Sequence, residues 1–467
     1  MPSELRQAGK VLLVSCYELG HQPIGLAWAA AFLERAGFIP ICLDTAVEPV
    51  DRTKLLQARF VGISVPMHTA LRLGFRLARQ VRLLNPGCHI CFFGLYAALN
   101  SEYLLETVAD STIGGELEAG LVRVLINLIG EAQEDWRGIS RKGAVQGSEL
   151  QKLAFVVPQR TLLPPLERYV RLQSGDALSL VAHVEASRGC KHHCLHCPIT
   201  PVYGGRFFVV PKEIVLEDVR RQVVGGARHV TFGDPDFLNG PGHSREVVRR
   251  IREEFPFLTF DFTAKITHLL RSGDLLREFA TLGCLFVVSA AESLSDTVLI
   301  NLQKGHSRAD FFEALRIVRG AGLVLKPSFV SFTPWTTLDD YIDVLETVGA
   351  EDLIDCVDPI QFAVRLLIPP GSALLSSTAL RPMLGALRPE SFTYEWIHPD
   401  PRMDRLYREV SAIVEQGVAN GEDRWETFLR ISHAALSVRA HASCSRVPIS
   451  VPAQRRRYPG LTEPWFC

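Results

Sequence analysis

Two stretches of the chain, about residues 11–128 and 181–375, alternate short apolar runs with segments of helical length. The runs at residues 11–14, 60–65 and 90–93 have the length and composition of buried strands. An alternation of this kind is typical of parallel sheets that are covered by helices. Ligands of such sheets bind beyond the carboxyl ends of the strands. The sequence therefore predicts an α/β protein whose functional residues follow its strands.

A chain of 467 residues has room for two or three domains. The alternation predicts a Rossmann-like parallel sheet over residues 1–135 and a partial barrel of about six βα units over residues 181–375. Residues 136–180, with prolines at 158, 164 and 165, are predicted to be an extended linker. Residues 376–467 are predicted to form a small helical region, and the last barrel strand is predicted near residues 360–367.

The charge balance and the cysteine count bear on partners and location. Lysine plus arginine number 50 against 51 acidic residues, so no electrostatic footprint for nucleic acid or an anionic membrane is expected. The N-terminus lacks the apolar core of a signal peptide, and no apolar stretch reaches the roughly 18 residues of a membrane helix. The 11 cysteines are odd in number and scattered, which argues against a disulfide framework. We therefore expect a cytoplasmic protein that acts on a small molecule or a peptide.

Three cysteines lie in the segment RGCKHHCLHCPI, with three and then two residues between them: Cys190, Cys194 and Cys197. A cubane iron–sulfur cluster normally takes four thiolates, so a compact trio leaves one iron open to a small molecule. A zinc site built with His192, His193 or His196 is an alternative, although zinc knuckles usually pair two close ligands with two distant ones. A ferredoxin-like cluster is the other alternative, but it requires a fourth cysteine nearby, and the next one is Cys284.

The spacing CxxxCxxC resembles the signature of the radical S-adenosylmethionine (radical SAM) superfamily, and the six βα units resemble its partial barrel. The resemblance implies that the three cysteines hold a [4Fe-4S] cluster and that SAM chelates the open iron. It also implies that an electron from the cluster cleaves SAM to a 5′-deoxyadenosyl radical. A protein of this kind needs an electron donor, which we expect to be of the flavodoxin or ferredoxin type.

The N-terminal stretch resembles the cobalamin-binding domain that precedes many radical SAM barrels. The resemblance rests on the strand order, on the loop ELGHQPIGLA (residues 18–27) and on a GGE stretch that ends at Glu116. The histidine-ligating form of that family carries DxHxxG; here His21 and Gly25 match, but the aspartate is absent. His21 is thus a candidate lower ligand of cobalt, yet the expected bound form is one without a histidine on cobalt. The alternative is a degenerate domain that serves only in packing.

Several polar residues follow the predicted barrel strands or the cysteine motif. Asp234 and Asp236, in TFGDPDF, resemble the segment that accepts from the SAM amino group, and the alternative is an Asp-Pro turn. Glu292, in SAAES, is a candidate for the SAM ribose, and the alternative is an ordinary acid at a helix start. The remaining candidates are Lys265, with His268 beside it, for the SAM carboxylate or the substrate, and Tyr203 and Arg206, in PVYGGRF, for cofactor binding.

The final residue, Cys467, follows Pro464, Trp465 and Phe466. Together with YELGHQPIGLA and RGCKHHCLHCPITPVYGGRF, the end LTEPWFC resembles a family of radical SAM proteins with a CUAEP or CCAEP tail, in which U is selenocysteine. The resemblance implies a UGA codon after codon 467 and a catalytic Cys467–selenocysteine pair. The alternative is an encoded terminal thiol.

These observations predict a radical SAM enzyme that uses a [4Fe-4S] cluster, SAM and, through its N-terminal domain, cobalamin to methylate or otherwise modify an unknown substrate. One alternative is a non-catalytic iron–sulfur or zinc protein that works as a redox sensor or carrier. Another alternative is an RNA methylthiotransferase, which the near-neutral charge balance disfavours.

Overall fold

The computed structural model describes residues 2–131, 134–440 and 456–462. The N-terminal unit contains six strands, which are β1 (Val11–Ser15), β2 (Pro40–Asp44), β3 (Phe60–Ser64), β4 (His89–Phe93), β5 (Ser111–Ile113) and β6 (Ile139–Arg141). They form one sheet in the order β2-β1-β3-β4-β5-β6, with β1–β5 parallel and β6 antiparallel at the edge. Strand order reverses between β1 and β3, so the ligand crevice of this sheet lies beyond those two strands.

Helices cover both faces of this sheet, which is why β1 and β3 are buried at every residue and read as continuous apolar runs. The helices are α1 (Ile24–Arg35), α2 (Arg52–Gln57), α3 (His68–Leu84), α4 (Leu95–Leu99), α5 (Ser101–Thr107) and α6 (Glu118–Ile129). Strand β2, whose sequence is the short PICLD, was not among the predicted strands.

The second unit is a curled half-barrel sheet. Its strands are β7 (Arg171–Ser174), β8 (Ala177–Val184), β9 (Ser187–Gly189), β10 (Phe207–Val209), β11 (His229–Phe232), β12 (Thr259–Thr263), β13 (Cys284–Glu292) and β14 (Val324–Phe329). Strands β8, β11, β12, β13 and β14 are parallel neighbours, and β9 and β10 form a separate hairpin after β8. The α/β class and the partial radical SAM type of barrel are as predicted.

The helices of this unit lie between its strands in the chain or follow the last of the parallel strands. They are α7 (Ile199–Tyr203), α8 (Lys212–Val224), α9 (Pro241–Glu254), α10 (Ile266–Leu269), α11 (Gly273–Thr281), α12 (Asp296–Asn301), α13 (Arg308–Gly320) and α14 (Leu338–Ala350). Helices α13 and α14 both begin with a capping box, in which a Ser or Thr and the Asp three residues later satisfy each other's backbone N–H groups.

The prediction of a sixth barrel strand near residues 360–367 is wrong. Pro359–Ala363 is a 3₁₀-helix capped by Asp358, and only a single parallel bridge joins Phe332 to Arg365. Proline cannot donate to a sheet ladder, and the Asp358 side chain accepts from the Ile360 N–H, so a turn forms where the apolar run indicated a strand.

The C-terminal region is mixed rather than purely helical. A hairpin of β15 (Leu384–Arg388) and β16 (Thr393–Trp396) precedes α15 (Pro401–Asn420) and α16 (Arg424–Ala440). The two helices pack together and bury apolar side chains against α14 and the 3₁₀-helix. A final strand, β17 (Gly460–Leu461), pairs with β7, so the half-barrel sheet has the order β14-β13-β12-β11-β8-β7-β17.

The segment between the two units connects them by polar contacts. Arg160 makes a buried bidentate ion pair with Asp218 of α8, at 3.0 and 2.8 Å, and donates to the backbone oxygen of His183 at 2.7 Å. The Gln22 side chain, after β1, donates to the Pro164 oxygen at 2.9 Å. The residues predicted as an extended linker therefore position the carboxyl edge of the first sheet against the half-barrel. Among the described residues, no helix has both the length and the apolar character that a membrane crossing requires.

Candidate cofactor cavity and cluster loop

The carboxyl edges of the two sheets face each other across one cavity of about 410 Å³. From the first sheet it is lined by residues that follow β1, β3, β4 and β5, among them His21, Met67, Leu95 and Leu117. From the half-barrel it is lined by residues of β8, β11, β12 and β13 and of the loops after β8 and β11. Its volume lies within the roughly 300–1,000 Å³ that is usual for small-molecule sites.

His21 lies in the cavity wall and stacks on His183 of β8, with 4.6 Å between the ring centroids. Burial lowers the pKa of His21 to about 4, so its imidazole is neutral at physiological pH. Burial, followed by the charge of His21, lowers the pKa of His183 as well. The stacked pair joins the two domains at the base of the cavity.

Glu18 adds an acid to this wall. Its Oε1 accepts from the Ile24 N–H at 3.0 Å, and burial, assisted by Glu185, raises its pKa to about 8. Four cavity-lining side chains have a buried polar atom without a hydrogen-bond partner, namely Glu18 Oε2, His21 Nδ1, Glu118 Oε2 and His183 Nδ1. A buried polar atom left unpaired costs about 1–3 kcal/mol, so these atoms indicate a ligand with hydrogen-bonding groups on its rim.

Asp234 follows β11 and also lines the cavity. Its carboxylate accepts from the Ala186 N–H at 2.9 Å and from the Ser187 hydroxyl, and burial raises its pKa to about 7. The structure therefore gives Asp234 a clear role in fixing the backbone that leads into the cysteine loop.

Arg188, two residues before Cys190, is buried among three carboxylates. It contacts Glu118 at 2.8 Å, Glu185 at 3.1 Å and Glu116 at 3.7 Å, and its guanidinium lies over the Trp28 ring at 5.0 Å from the centroid. Glu116 and Glu118 belong to the first domain, so this network connects that domain to the start of the cysteine loop.

Tyr203 is buried at the end of α7, and its hydroxyl donates to Glu116 at 2.9 Å. Burial and the neighbouring carboxylate raise the pKa of Tyr203 well above its usual range. Arg206 lies two residues after the Gly204 turn, and its side chain is exposed. Its backbone oxygen accepts from the Cys190 N–H at 3.1 Å, so the backbone of Arg206 supports the cysteine loop.

The three cysteines lie in one loop between the β9–β10 hairpin strands. Cys194 is buried, and Cys190 and Cys197 are half-buried. Burial raises the pKa of the Cys197 thiol to about 12, while the ammonium of Lys304 acts in the opposite direction. Lys304 is 4% exposed, and its charge interacts with Cys194 as well. A buried cation beside thiolates favours the deprotonated sulfur that metal ligation requires.

Glu292 ends β13 with a left-handed backbone (φ 65°), a conformation that is rare outside glycine and concentrated at functional sites. Its Oε1 contacts Lys304 at 3.2 Å and His196, inside the cysteine loop, at 3.0 Å. Burial alone would raise the pKa of Glu292, but Lys304 and His196 hold it well below its usual value. Both contacts use Oε1, which leaves Oε2 for another donor.

Asp236 is not among the residues that line the cavity, unlike Asp234. Its Oδ1 accepts from the Leu238 N–H at 3.1 Å, and its Oδ2 lies 2.8 Å from His268 Nδ1 and 3.4 Å from His192 Nε2. Burial acts to raise the pKa of Asp236, but the two imidazoles keep it below its ordinary value.

Lys265 caps the start of α10 at the end of β12 and is partly buried. Its charge helps to lower the pKa of His306, after the effects of burial and Lys304, so its ammonium lies near the loop that follows Lys304. Its predicted role toward SAM stays a prediction, as do those of the other cofactor candidates. Cys467 lies outside the described residues.

The sequence analysis missed His183, Arg188 and Lys304. Each lies close in space to a predicted residue: His183 to His21, Arg188 to the first cysteine, and Lys304 to Glu292. For His183, the available signal was an imidazole inside a strand. For Arg188, it was a charged residue directly before the cysteine motif. Lys304 gave no comparable signal, because its partners are far apart in the sequence.

The residues present fit an iron–sulfur cluster at the cysteine loop and a corrin in the cavity, the two groups that the sequence suggested. Three thiols in one loop beside a buried ammonium suit an iron–sulfur cluster, whose thiolate ligands carry negative charge. The cavity offers apolar walls together with unpaired polar atoms, which suits a macrocycle with an apolar body and amide groups on its rim. The cavity and the cysteine loop adjoin, because Arg188 and Gly189 line the cavity directly before Cys190.

Residues 184–348 match the radical SAM superfamily, and the chain therefore carries a radical SAM domain over its half-barrel. The prediction of a radical SAM enzyme, made from the CxxxCxxC spacing, is confirmed at the level of this domain. A [4Fe-4S] cluster and SAM are the cofactors that such a domain implies.

Individual proteins extend the likeness over both domains. The chain is 26% identical to a hopanoid C-3 methylase of Methylococcus capsulatus over 325 residues, which is 67% of this chain and 62% of that protein, somewhat under two thirds of its length. In fold it resembles TsrM, a radical S-adenosylmethionine methyltransferase from Kitasatospora setae with cobalamin and a [4Fe-4S] cluster bound (TM-score 0.64, 15% identity, 96% of this chain and 92% of that one). It also resembles OxsB, a cobalamin-dependent S-adenosylmethionine radical enzyme with aqua-cobalamin bound (TM-score 0.68, 16% identity, 88% and 67%). At these identities the two structures establish the fold alone.

Proposed function

We propose that this protein is a cobalamin-dependent radical SAM methyltransferase that modifies a small molecule or a peptide. One observation carries the proposal: the carboxyl edges of the two sheets enclose a single cavity that borders the three-cysteine loop. A Rossmann-like sheet binds its ligand at this edge, and a parallel barrel does the same. The bound ligands named for TsrM and OxsB support the same arrangement here.

In this proposal Cys190, Cys194 and Cys197 hold the cluster, and the cavity holds the corrin between the two sheets. When bound, the cluster supplies the electron that cleaves SAM, and cobalamin supplies the methyl group. The protein's own contribution is positioning and electrostatics. Burial keeps water away from the reacting groups, and the Lys304 ammonium offsets the negative charge of the thiolates.

On the corrin side of the cavity, His21 and Glu18 have separate roles in this proposal. His21 is held against His183 by stacking, so we expect it to pack against the corrin face rather than to ligate cobalt. Glu18, whose pKa is about 8, carries a proton at neutral pH, so its O–H can donate a hydrogen bond to an amide oxygen on the corrin rim. The packing role of His21 agrees with the expected bound form, in which no histidine ligates cobalt.

On the SAM side of the site, Glu292 and Asp234 have separate roles in this proposal. Glu292 keeps its negative charge between Lys304 and His196, and its free Oε2 accepts from a ribose hydroxyl. Asp234 holds the turn after β11 through Ala186 and Ser187, which sets the backbone carbonyls that receive the SAM amino group. Lys265 and the exposed Arg206 remain the proposed contacts for carboxylate groups. The required electron comes from a donor of the flavodoxin or ferredoxin type.

Cobalamin binding is the experiment that tests this proposal. Purified, cluster-reconstituted protein is mixed with hydroxocobalamin and desalted, and cobalt, iron and sulfide are then measured. We expect one cobalamin per chain in the wild type. Leu95→Trp places a large ring in the cavity wall, so it should exclude the corrin while iron and sulfide remain.

Leu83→Trp is the matched control, because Leu83 of α3 is 84% exposed and does not line the cavity. It should retain cobalamin like the wild type. Failure of the wild type to retain cobalamin, or equal retention by Leu95→Trp, contradicts the corrin site. Protein that keeps its cluster but never consumes SAM would instead favour the redox carrier.

We further propose that the chain belongs with the radical SAM proteins that carry a CUAEP or CCAEP tail. The three quoted segments support this assignment. Sequencing the gene past codon 467 tests it: an in-frame UGA followed by Ala-Glu-Pro codons is expected, and any other continuation contradicts it.

A further inference from the structure

His192, Asp236 and His268 bring three potential ligand atoms together next to the cysteine loop. The two imidazole nitrogens and the carboxylate oxygen all lie within 4.8 Å of one another. His192 stands between the first two cysteines, Asp236 follows β11, and His268 belongs to α10. The three residues come from different elements, so their convergence is a property of the fold and not of local sequence.

In this cluster the Asp236 carboxylate pairs with both imidazoles, but none of the three close atoms has a well-directed hydrogen bond. Asp236 Oδ2 lies 2.8 Å from His268 Nδ1 and 3.4 Å from His192 Nε2, yet all three atoms are buried without a properly directed hydrogen bond. Buried polar atoms are nearly always hydrogen-bonded, and each unpaired one costs about 1–3 kcal/mol. Three such atoms within 4.8 Å of one another are close enough to bind one shared ion.

The surroundings hold this arrangement in place. Asp236 is 2% exposed, and its Oδ1 is fixed by the Leu238 N–H, which orients Oδ2 toward the histidines. The side chains of His192 and His268 are 23% and 22% exposed, whereas the three ligand atoms themselves are buried. Two imidazoles and one carboxylate with open positions are typical of mononuclear zinc and non-haem iron sites.

We propose that His192, Asp236 and His268 bind one divalent transition-metal ion of the Zn²⁺ or Fe²⁺ class, separate from the cysteine-bound cluster. The ion is held by two imidazole nitrogens and one carboxylate oxygen, and its remaining positions face substrate or water. Asp236 thereby has a partner other than the SAM amino group. The site goes beyond the proposed methyl transfer and does not depend on cobalamin.

Zinc binding to the cluster-loaded protein tests the proposal. Reconstituted protein is incubated anaerobically with Zn²⁺ and desalted, after which zinc, iron and sulfide are measured and the zinc shell is examined by X-ray absorption. We expect about one zinc per chain, bound by nitrogen and oxygen only.

Asp236→Asn and His268→Gln should each weaken zinc binding by more than about tenfold, because loss of a direct ligand exceeds the effect of removing an outer-shell partner. Both should keep iron and sulfide at wild-type levels. His433→Gln, at an exposed position on α16, is the matched control and should keep its zinc. Absence of zinc in the wild type, sulfur in its zinc shell, retention of zinc by both variants, or loss of iron together with zinc overturns the proposal.

Discussion

Replacement of Arg188 by methionine tests whether the buried charge network fixes the two domains beside the cysteine loop. Arg188 lies 2.8 Å from Glu118 and 3.1 Å from Glu185, and its side chain is 9% exposed. Arg188→Met preserves much of the side-chain length but leaves buried carboxylates without their cation. Breaking a buried ion pair in this way costs about 3–5 kcal/mol. For a cooperative unit of about 200 residues, that corresponds to a fall in Tm of roughly 6–20 °C.

The assay is thermal unfolding of the cluster-loaded protein at pH 6 and pH 8. The Arg188→Met variant should lose more stability at pH 8, because burial already raises the pKa of Glu116 to about 7 even though Arg188 opposes the shift. A carboxyl whose folded pKa is raised contributes stability at low pH and loses it as pH rises through that pKa. The added substitution Glu118→Gln should recover part of the loss, since it removes one unpaired charge.

Arg316→Met is the matched control. Arg316 is exposed and pairs with Glu313 on the surface of α13, where ion pairs contribute about 0–1 kcal/mol. A Tm of Arg188→Met within a few degrees of that control, or a larger loss at pH 6 than at pH 8, would refute the reasoning about this network.

Three further changes probe the cavity and the loop. Glu18→Gln should match the wild-type Tm near pH 4 and exceed it by a growing margin up to about pH 8, because a carboxyl whose pKa rises from 4.5 to about 8 on folding costs the wild type stability across that interval; identical pH profiles would count against this. Gly189→Ala should lower the iron and sulfide content, because Gly189 has φ +72° and an added Cβ would lie 2.5 Å from the Arg206 oxygen. Gly143→Ala is the control, since Gly143 has φ +77° but open space around it, and it should leave both contents unchanged. Equal iron and sulfide contents in the two variants refute the steric argument. Lys304→Met should shift the cluster potential to more negative values in an EPR-monitored titration, because a buried positive charge beside the thiolates is lost; a positive shift contradicts it.

The fold was largely predictable because both parallel sheets are covered on their faces, so their strands read as apolar runs. The exceptions have physical causes. Strand β2 begins with a proline, a residue that argues against a strand inside a sheet. The run near residues 360–367 is apolar, but Asp358 and Pro359 direct it into a 3₁₀-helix. The linker also contributes β7 (Arg171–Ser174), in which three of the four residues are polar and two are exposed, so it lacks an apolar run.

The site was predictable where residues of one function lie close together in the chain. The cysteine trio and the strand-end acids Asp234 and Glu292 could be found by spacing and position. Lys304 and Arg188 could not, because their partners come from other elements and their roles appear only when those elements pack. Likewise, the sequence marked His192, Asp236 and His268 only as separate candidates, because they lie in different segments and meet only in the fold.

The central claim is that three thiolates hold a cluster whose open iron takes SAM. EPR spectroscopy of the anaerobically reconstituted, reduced protein, recorded with and without SAM, tests it most directly. We predict a [4Fe-4S]⁺ signal whose g-values change when SAM is added and which is lost when Cys194 is replaced by alanine. Reduced protein that shows no cluster signal, or one that SAM leaves unchanged, would contradict the account.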